Sequence, residues 1–348
     1  MGTYLMMLAL VICLGAVMLP GIQAKSDAAH FFDLTNTKAL RGFWAIIVVL
    51  VHVPEAYQNP IQDALGSFAY IGVTFFFMTS AYGLWLGRNK MGRGLAFWRR
   101  RLPKLLIPCF FANGVEMLAG LVTGQSYALW YLLTICDWLK WLLVCYVLFW
   151  ALEHISVFQG KTRMAILCVL VAAFSLCVYF LDDYIEQTTW CTEVYGFIWG
   201  ILLAANRERF VRWAEKKWGV KTALFMAASA VLGVLYLKTK WVPFFGDYLL
   251  KILLGVAILT FLLLLNIRFS LGNRVNQYLG SISYEIYLLH NVAFTLLMWG
   301  LPGLSSGAFV VGAVAVTVLL SALLKRPADS VCKFAERWLL QGVTSKET

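Results

Sequence analysis

The chain has 348 residues, of which 61% are hydrophobic and 14% are charged. This composition excludes an ordinary water-soluble domain and is typical of a protein that crosses a membrane many times. The formal net charge of +11 would suit a nucleic-acid partner, but we predict none, because the cations are distributed as membrane topology requires.

Eleven apolar segments follow one another along the chain, and several are about 17 to 24 residues long, as membrane-spanning helices require. They lie near residues 4–22, 42–57, 66–87, 103–123, 138–152, 164–181, 194–205, 221–237, 247–265, 279–299 and 307–324. The segment at 194–205 is short, so we expect it to tilt little, to begin earlier or to thin the bilayer locally. The pattern predicts an all-α fold, a polytopic transmembrane helix bundle.

The basic residues predict the orientation of these segments. If the loop before Arg41 is cytoplasmic, simple alternation places all but four of the 29 lysines and arginines on that side, the exceptions being Lys140, Lys238, Lys240 and Lys251. Such a bias fixes the orientation by the positive-inside rule. We therefore expect a multi-pass integral protein of the plasma (cytoplasmic) membrane, with a cytoplasmic carboxyl terminus and an outer amino terminus.

Both ends of the chain carry segments that we place outside the main bundle. Residues 1–22 have the length of a secretory signal, but no basic residue precedes the apolar run, and Ile22 would stand where a small residue is preferred. We therefore predict that residues 1–37 form an extra, retained helix with a surface connection. Residues 326–348 carry apolar residues at helical spacing among charged ones, which predicts a cytoplasmic amphipathic tail.

The stretch "RGFWAIIVVLVHVPEAY" at 41–57 places Arg41 and His52 in one apolar segment. On a helix, eleven residues turn through about 1100°, so the two side chains lie only about 20° apart and roughly 16 Å along the axis. Ala45 and Val48 lie between them and leave a groove toward mid-membrane depth. Ionisable groups in hydrocarbon are costly, which favours a functional role, although hydrogen bonding between helices is the simpler alternative.

Two residues beyond His52 complete this predicted site. Pro54 has no amide hydrogen for the carbonyl of Leu50, so we expect a kink and a free acceptor beside the imidazole. Glu55 follows three positions later, close enough to orient the imidazole or to raise its basicity.

A second stretch, "FWRRRLPKLLIP" at 97–108, predicts an anion site at the cytoplasmic surface. Its cations are Arg99, Arg100, Arg101 and Lys104. We place Pro103 in the first turn of a helix, so that these cations stand beside exposed helix amides, as a polyphosphate requires. Topology alone, or contact with anionic lipid, would also explain the cluster.

Taken together, four stretches resemble the integral-membrane acyltransferase family three, which includes cell-envelope O-acetyltransferases such as O-antigen and peptidoglycan acetylases. They are the Arg41 to His52 spacing, "GVTFFFMTSAYGLWLG" at 72–87, "FWRRRLPKLLIP" at 97–108 and "LGSISYEIYLLHN" at 279–291. The resemblance covers about residues 38–325 and implies a transmembrane acyltransferase bundle of ten helices, to which the first helix here is an addition. It also implies transfer of an acyl group, usually acetyl from cytoplasmic acetyl-CoA, to an extracytoplasmic acceptor.

The resemblance also implies roles for single residues. Arg41 and His52 match the arginine and histidine of the first family helix, in which the histidine is the leading catalytic candidate. Arg101 and Lys104 match a pair of basic residues that are usually both arginine; lysine offers a point charge instead of a bidentate fork. Ser80, Ala81 and Tyr82 stand where the family commonly has Ser-Gly-aromatic, and Ala81 weakens any argument for close backbone approach there.

Acyl transfer from a thioester gives these residues a chemical rationale. A neutral imidazole can act as a base on the acceptor hydroxyl or can carry the acyl group. The predicted catalytic residues are His52, Glu55 and Arg41; the predicted donor-binding residues are Arg99, Arg100, Arg101, Lys104, Ser80 and Tyr82. Because the eight cysteines lack the spacing of a metal site, no metal is expected beside the cosubstrate acetyl-CoA.

Three questions stay open at this level. The acceptor is an envelope glycan or a lipid-linked compound, and its identity, like the oligomeric state, is not predicted. Ser283, Tyr287 and His290 lie on one helical face that either lines the same cavity or bonds between helices. Two other classes remain: a transporter or flippase with Arg41, His52 and Glu55 on a proton or substrate path, and a sensor or partner-binding module without turnover.

Overall fold

The computed structural model describes residues 2–25, 28–90, 94–155, 157–181 and 191–344. In chain order its helices are α1 (Gly2–Met18), α2 (Leu34–Val51), α3 (Pro60–Gly66), α4 (Ala69–Gly87), α5 (Leu95–Thr123), α6 (Asp137–His154), α7 (Gly160–Phe180), α8 (Tyr195–Ala205), α9 (Arg207–Glu215), α10 (Trp218–Thr239), α11 (Lys251–Arg268), α12 (Arg274–Ser281), α13 (Ser283–Gly300) and α14 (Ser306–Thr344). A π-helical turn, Phe245–Leu250, leads into α11. The predicted all-α class is therefore confirmed.

Among the described residues, seven helical stretches are long and apolar enough to cross a membrane. They are Leu34–Val51, Pro60–Gly87, Leu95–Thr123, Gly160–Phe180, Trp218–Thr239, Phe245–Arg268 and Ser306–Leu339. Gly2–Met18 and Tyr195–Ala205 are shorter apolar helices. The chain is thus a polytopic membrane protein, while the count of ten helices plus one remains a prediction.

Helix α4 lies at the centre of the bundle and touches α8 backbone to backbone. A Cβ atom built on Gly196 would overlap the Thr74 carbonyl oxygen, and one built on Gly200 would overlap the Met78 carbonyl oxygen. Small residues at such positions let helices approach closely in a membrane, where packing rather than water exclusion holds them together. This contact fixes the position of α4 for the site described below.

Helix α2 begins and ends earlier than the predicted segment at 42–57. Its amino terminus is capped by Asp33, whose side chain accepts from the Asn36 amide at 2.9 Å. Most of the helix is buried. Near its beginning, a Cβ atom on Gly42 would lie 2.8 Å from the Gly280 nitrogen, so α2 is held tightly against α12.

The predicted kink at Pro54 is wrong, because α2 ends before this residue. The helix stops at Val51, and the His52 amide donates to the Val49 carbonyl at 3.3 Å. The Leu50 carbonyl, expected to be free, accepts from the side-chain amide of Gln62. Gln62 is itself held in a capping box with Asn59 at the beginning of α3. Pro54 therefore follows a helix end instead of bending a continuous helix.

The helix ends form two distinct surfaces of the bundle. We call one the basic end; it includes the start of α5 with its cationic cluster, the end of α6 and helix α9. There the Gly94 amide donates to His154 Nε2 at 2.9 Å. We call the other the opposite end, which includes the end of α2, helix α3 and the end of α10. Contacts such as that of Asn59 Nδ2 with Ser306 Oγ at 2.9 Å join its loops.

The first helix is attached to the rest of the chain at two places. Strands β1 (Gln23–Ala24) and β2 (Phe269–Ser270) pair antiparallel after it, and Asn273 Nδ2 donates to the Val17 and Pro20 carbonyls at 2.6 and 2.7 Å. At its other end α1 packs on α14, where a Cβ atom on Gly307 would lie 2.9 Å from Thr3 Cα.

Helix α14 includes most of the predicted amphipathic tail. It runs without a break from Ser306 to Thr344 with Pro327 inside it, so residues 326–344 continue the last helix and do not form a separate one. Phe334 and Trp338 are 71% and 68% exposed, as an apolar face toward lipid requires. Residues 345–348 lie outside the described residues.

Candidate active site

Two histidines from distant parts of the chain meet inside the bundle, on the side nearer the opposite end. His52 stands at the carboxyl cap of α2, and His290 lies in the middle of α13, 4% exposed. Their ring centroids are 4.5 Å apart, with the planes tilted by 48°. The Tyr287 ring lies 5.8 Å from His290 and 6.4 Å from His52. The polar face of α13 thus meets the predicted catalytic histidine.

Backbone carbonyls orient both rings. Nδ1 of His52 bonds to the Val48 carbonyl at 2.8 Å, and Nδ1 of His290 to the Tyr287 carbonyl at 2.6 Å. A carbonyl oxygen only accepts, so each Nδ1 carries the hydrogen and each neutral ring keeps its lone pair on Nε2. Nε2 of His290 is buried without a hydrogen-bond partner among the described residues. Nε2 is therefore the basic nitrogen of each ring, and at His290 no described residue bonds to it.

His52 lines a cavity of about 280 Å³, which we call the His52 cavity. Its lining residues are Val48, Val51, His52, Asp63, Gly66, Ser67, Ala69, Tyr70, Val73, Glu193, Tyr236, Lys240 and Lys251. Several of these, including the half-buried Lys240 and the exposed Asp63, belong to the opposite end. The cavity therefore connects the imidazole with that end of the molecule.

Two lysine–carboxylate pairs line the His52 cavity. Lys251 Nζ lies 2.9 Å from Glu193 Oε1, and both side chains are largely buried; the same ammonium lies 5.0 Å from the centre of the Tyr70 ring. Lys240 Nζ donates to Ser67 Oγ at 3.0 Å and lies 3.7 Å from Asp63 Oδ2. Each pair offers donors and acceptors side by side with its charge balanced, a suitable lining for a ligand rich in hydroxyl groups.

The sequence argument did not assign these pairs to the site. Lys240 and Lys251 are two of the four basic residues that the charge distribution leaves on the far side of the membrane. Their predicted position on the far side, away from the other basic residues, was the signal in the sequence that could have pointed to the site. What the sequence could not supply is the partner of each, since Asp63 comes from α3 and Glu193 from the turn before α8.

A smaller cavity of about 10 Å³ shares Val73 with the His52 cavity. Its other lining residues are Phe76, Trp138, Tyr284 and Tyr287. The Tyr284 hydroxyl donates to the Leu105 carbonyl of α5 at 2.6 Å, which ties this small cavity to the helix that carries the basic cluster. The Trp138 indole N–H has no partner among the described residues.

Arg41 lies against α4, on the basic side of the histidine pair. Its Nε and Nη2 donate to Thr79 Oγ1 at 3.2 and 2.8 Å. The adjacent Ser80 hydroxyl lies 2.5 Å from the Tyr146 hydroxyl of α6. Tyr82 turns elsewhere and packs edge-to-face on Phe32, with centroids 4.6 Å apart. Arg41 and Ser80 thus lie close together, because Arg41 bonds to Thr79, the residue before Ser80. The contact of Tyr82 with Phe32 is a separate one.

The basic cluster has a different helical setting from the predicted one. Helix α5 begins at Leu95, so Pro103 lies in its interior and the exposed amides of its first turn precede the cations. The expectation that Pro103 stands in the first turn is therefore wrong. Lys104 forms an ion pair with Glu336 of α14 at 3.1 Å, and Arg100 is exposed. The cluster thus follows the first turn of α5 at the basic end.

Glu55 is exposed in the one-turn 3₁₀ helix Glu55–Tyr57 that follows Pro54. The expected contact with the imidazole is not among the described hydrogen bonds. The Val48 carbonyl orients the ring in its place. The three-residue spacing was argued on a continuous helix, and the end of α2 at Val51 removes that premise.

Comparison with known protein families gives a match over most of the chain. A protein-family model described as "Acyltransferase domain" matches residues 35–326. No curated protein matches the chain, and no solved structure does.

Proposed function

The chain belongs to acyltransferase family three, and from that premise we propose that it is a membrane O-acetyltransferase. It takes acetyl from cytoplasmic acetyl-CoA and delivers it to a hydroxyl of an extracytoplasmic envelope carbohydrate or a related acceptor. The observation that carries the proposal is the pair of carbonyl-oriented imidazoles, one of which lines a cavity with hydroxyl-binding groups.

The histidine pair supplies the base. His52 Nε2 takes the proton of the acceptor hydroxyl while that oxygen attacks the thioester carbonyl. The C–O bond forms, the C–S bond breaks, and the imidazolium returns its proton to the CoA thiolate, so that protons and electrons balance. His290, 4.5 Å away centre to centre, has a buried Nε2 lone pair that accepts a hydrogen bond and keeps the reacting group aligned.

Two buried donors are suited to the oxyanion. The Trp138 indole N–H and the Tyr70 hydroxyl have no hydrogen-bond partner among the described residues. Both line the cavities that meet at Val73. A buried donor without a partner costs free energy in the resting protein, and a developing negative charge would supply the missing acceptor.

The donor is assigned to the basic end. Arg99, Arg100, Arg101 and Lys104 would bind the nucleotide phosphates there, and Arg41 and Ser80 lie between that end and the histidines. The small cavity beside Phe76 and Tyr284 marks the narrow part of a path for the pantetheine arm. Because its volume of about 10 Å³ holds no more than about one water, the arm must displace these aromatic side chains to reach His52.

The proposed orientation places the basic end in the cytoplasm of a plasma membrane. The positive-inside rule supports this assignment. It brings the donor cluster to the acetyl-CoA pool and opens the His52 cavity to the outer face. Glu55 is exposed at that same end of the molecule.

The direct test uses purified full-length protein in lipid nanodiscs with radiolabelled acetyl-CoA. Envelope lipid and glycan fractions serve as the acceptor pool. We expect label in an acceptor fraction together with an equal amount of free CoA, both of which depend on His52. A transporter or flippase would bind or move a substrate without releasing CoA, so the lack of CoA release with every fraction would contradict the proposal.

A further inference from the structure

A second concave surface lies on the outside of the bundle, beside the His52 cavity. This lateral groove has a volume of about 500 Å³. Its walls come from α2 around Trp44, from Phe68 before α4, from α10 between Ser229 and Leu237, and from Ile258 of α11. The one hydroxyl of this lining, on Ser229, already bonds to the Phe225 carbonyl of its own helix at 2.7 Å. The surface therefore suits hydrocarbon.

The lateral groove and the His52 cavity share their walls. Neighbouring residues alternate between them: Leu65 lines the groove and Gly66 the cavity, while Phe68 lines the groove and Ser67 the cavity. On α10, Leu237 lines the groove and Tyr236 the cavity. The rings of Phe68 and Tyr236 are 6.3 Å apart. A molecule in the groove thus lies one aromatic layer from the catalytic cavity.

The dimensions favour a chain that enters from the outer leaflet. From Leu237, near the opposite end, to Ser229 the groove follows about 12 Å of α10. At the same end the His52 cavity carries its two lysine–carboxylate pairs. An apolar slot and a polar cavity that begin at the same depth fit an amphiphile whose head turns inward while its tail stays along α10.

We propose that the lateral groove binds the apolar chain of the acceptor, so that the acceptor is a lipid-anchored hydroxyl compound of the outer leaflet. This inference rests on the proposed acetyltransferase function. Hydrophobicity alone does not select the acceptor from ordinary lipids, because a lipid tail gains no hydrophobic free energy by moving from bilayer to groove. The acceptor differs from them in its head, which the charge-balanced lining of the His52 cavity binds through hydroxyl groups.

Two exposed alanines on α10 allow a matched test. Ala230 lines the lateral groove, whereas Ala223 lies two helical turns away on the same face and outside the lining. Ala230→Phe fills the groove, and Ala223→Phe adds the same bulk elsewhere. Since both side chains are exposed, neither change disturbs the core. Val234→Phe, at a position 58% exposed, is the second blocking variant should Ala230→Phe fail to give monodisperse protein.

The binding measurement uses a dodecyl glucoside with a diazirine in its chain, and a diazirine-bearing phosphatidylcholine as bulk-lipid control. Both probes are photolysed with full-length protein in nanodiscs. We expect the glucoside to label residues 43–47 and 229–237, with labelling about tenfold lower in Ala230→Phe and unchanged in Ala223→Phe. Equal labelling of the two variants, or glucoside labelling no more selective than that of phosphatidylcholine, overturns the proposal.

The transfer measurement separates this inference from the proposed function. With radiolabelled acetyl-CoA, we expect label in the lipid extract, at a rate lowered at least fivefold by Ala230→Phe and not by Ala223→Phe. Label confined to a water-soluble glycan fraction overturns the lipid-anchored acceptor while the acetyltransferase stands. Label in neither fraction counts against the acetyltransferase itself, and the binding measurement then decides whether the groove takes an amphiphile.

Discussion

His52 is the residue on which the proposed chemistry depends. His52→Ala removes the base that accepts the hydroxyl proton, so we expect kcat/KM to fall by about 10²- to 10⁴-fold. The measurement is radiolabelled transfer by protein that still elutes as a single species. His30→Ala, an exposed histidine near the basic end, is the control and should keep full activity. Transfer near the unaltered rate in His52→Ala would remove His52 from the mechanism.

Glu55 offers the complementary test at the same end of α2. Because the Val48 carbonyl already orients the imidazole and Glu55 is exposed, we expect Glu55→Gln to change kcat by less than about threefold, the range of a weak, solvent-screened interaction. The same transfer assay measures it. A loss as large as that of His52→Ala would show that Glu55 acts on the imidazole in the working enzyme.

At the scale of residues, the sequence predicted a catalytic role for His52. For His290 it left open whether the side chain lines the same cavity or bonds between helices. The 4.5 Å approach of their rings joins positions far apart in the chain, and no local pattern encodes such a distance. The polar face of α13 was a readable signal, since Tyr287 and His290 recur at helical spacing. Its contact with the end of α2 depends on how the bundle packs.

Among the elements, α5 carries the proposed donor site. Arg100→Glu with Arg101→Glu reverses two charges, so we expect the KM for acetyl-CoA to rise at least tenfold while the KM for the acceptor changes little. Steady-state kinetics with each substrate varied in turn measures both values. Lys333→Glu, exposed on α14, is the control for general charge effects. A larger rise in the acceptor KM would assign the cluster to topology alone.

The contact between α4 and α8 should tolerate no added atom. Gly200→Ala forces a methyl group onto the Met78 carbonyl, and such overpacking costs about 1–3 kcal/mol. We expect a lower midpoint in thermal unfolding followed by size-exclusion chromatography. Gly83→Ala is the matched control on α4, because its Cβ meets no described atom within 4 Å. Equal midpoints for the two variants would contradict the close packing.

Helix boundaries show where the sequence argument failed and why. Hydropathy placed the start of α5 near Pro103, because the arginines before it are polar and proline favours a first turn. In the structure α5 starts at Leu95, where Trp150 Nε1 donates to the Gly94 carbonyl at 3.2 Å. A tertiary contact thus sets the boundary. Hydropathy measures the apolar stretch, and helices extend beyond it wherever polar residues still have partners.

At the scale of the whole molecule, the charge distribution predicts the orientation. We expect a fluorescent protein fused after Thr348 to fluoresce, and alkaline phosphatase at the same position to be inactive, because the positive-inside rule keeps that terminus in the cytoplasm. Fusions in the loop around residue 58, at the opposite end, are the internal control and should give the reverse result. An active phosphatase after Thr348 would invert the proposed donor and acceptor sides.

The fold class and the membrane location followed from the sequence because hydropathy and charge are summed over many residues and tolerate local errors. The acyltransferase family followed from four short stretches and is confirmed over residues 35–326. The His52 cavity did not follow, since its walls come from α2, α3, α4, α10, α11 and the residues before α8. Each wall contributes one to three residues, and no single stretch carries the pattern.

The contact between α1 and α14 imposes an order on biosynthesis. A chain leaves the ribosome amino terminus first, so α1 enters the membrane long before the helix that covers it has been made. Until the last helix is made, the face of α1 around Thr3 and Met6, which lies against Gly307 in the mature bundle, stays open to lipid or to temporary neighbours. A ribosome that stalls within the last helix would leave this surface open, and cellular proteases could recognise the unfinished product by it.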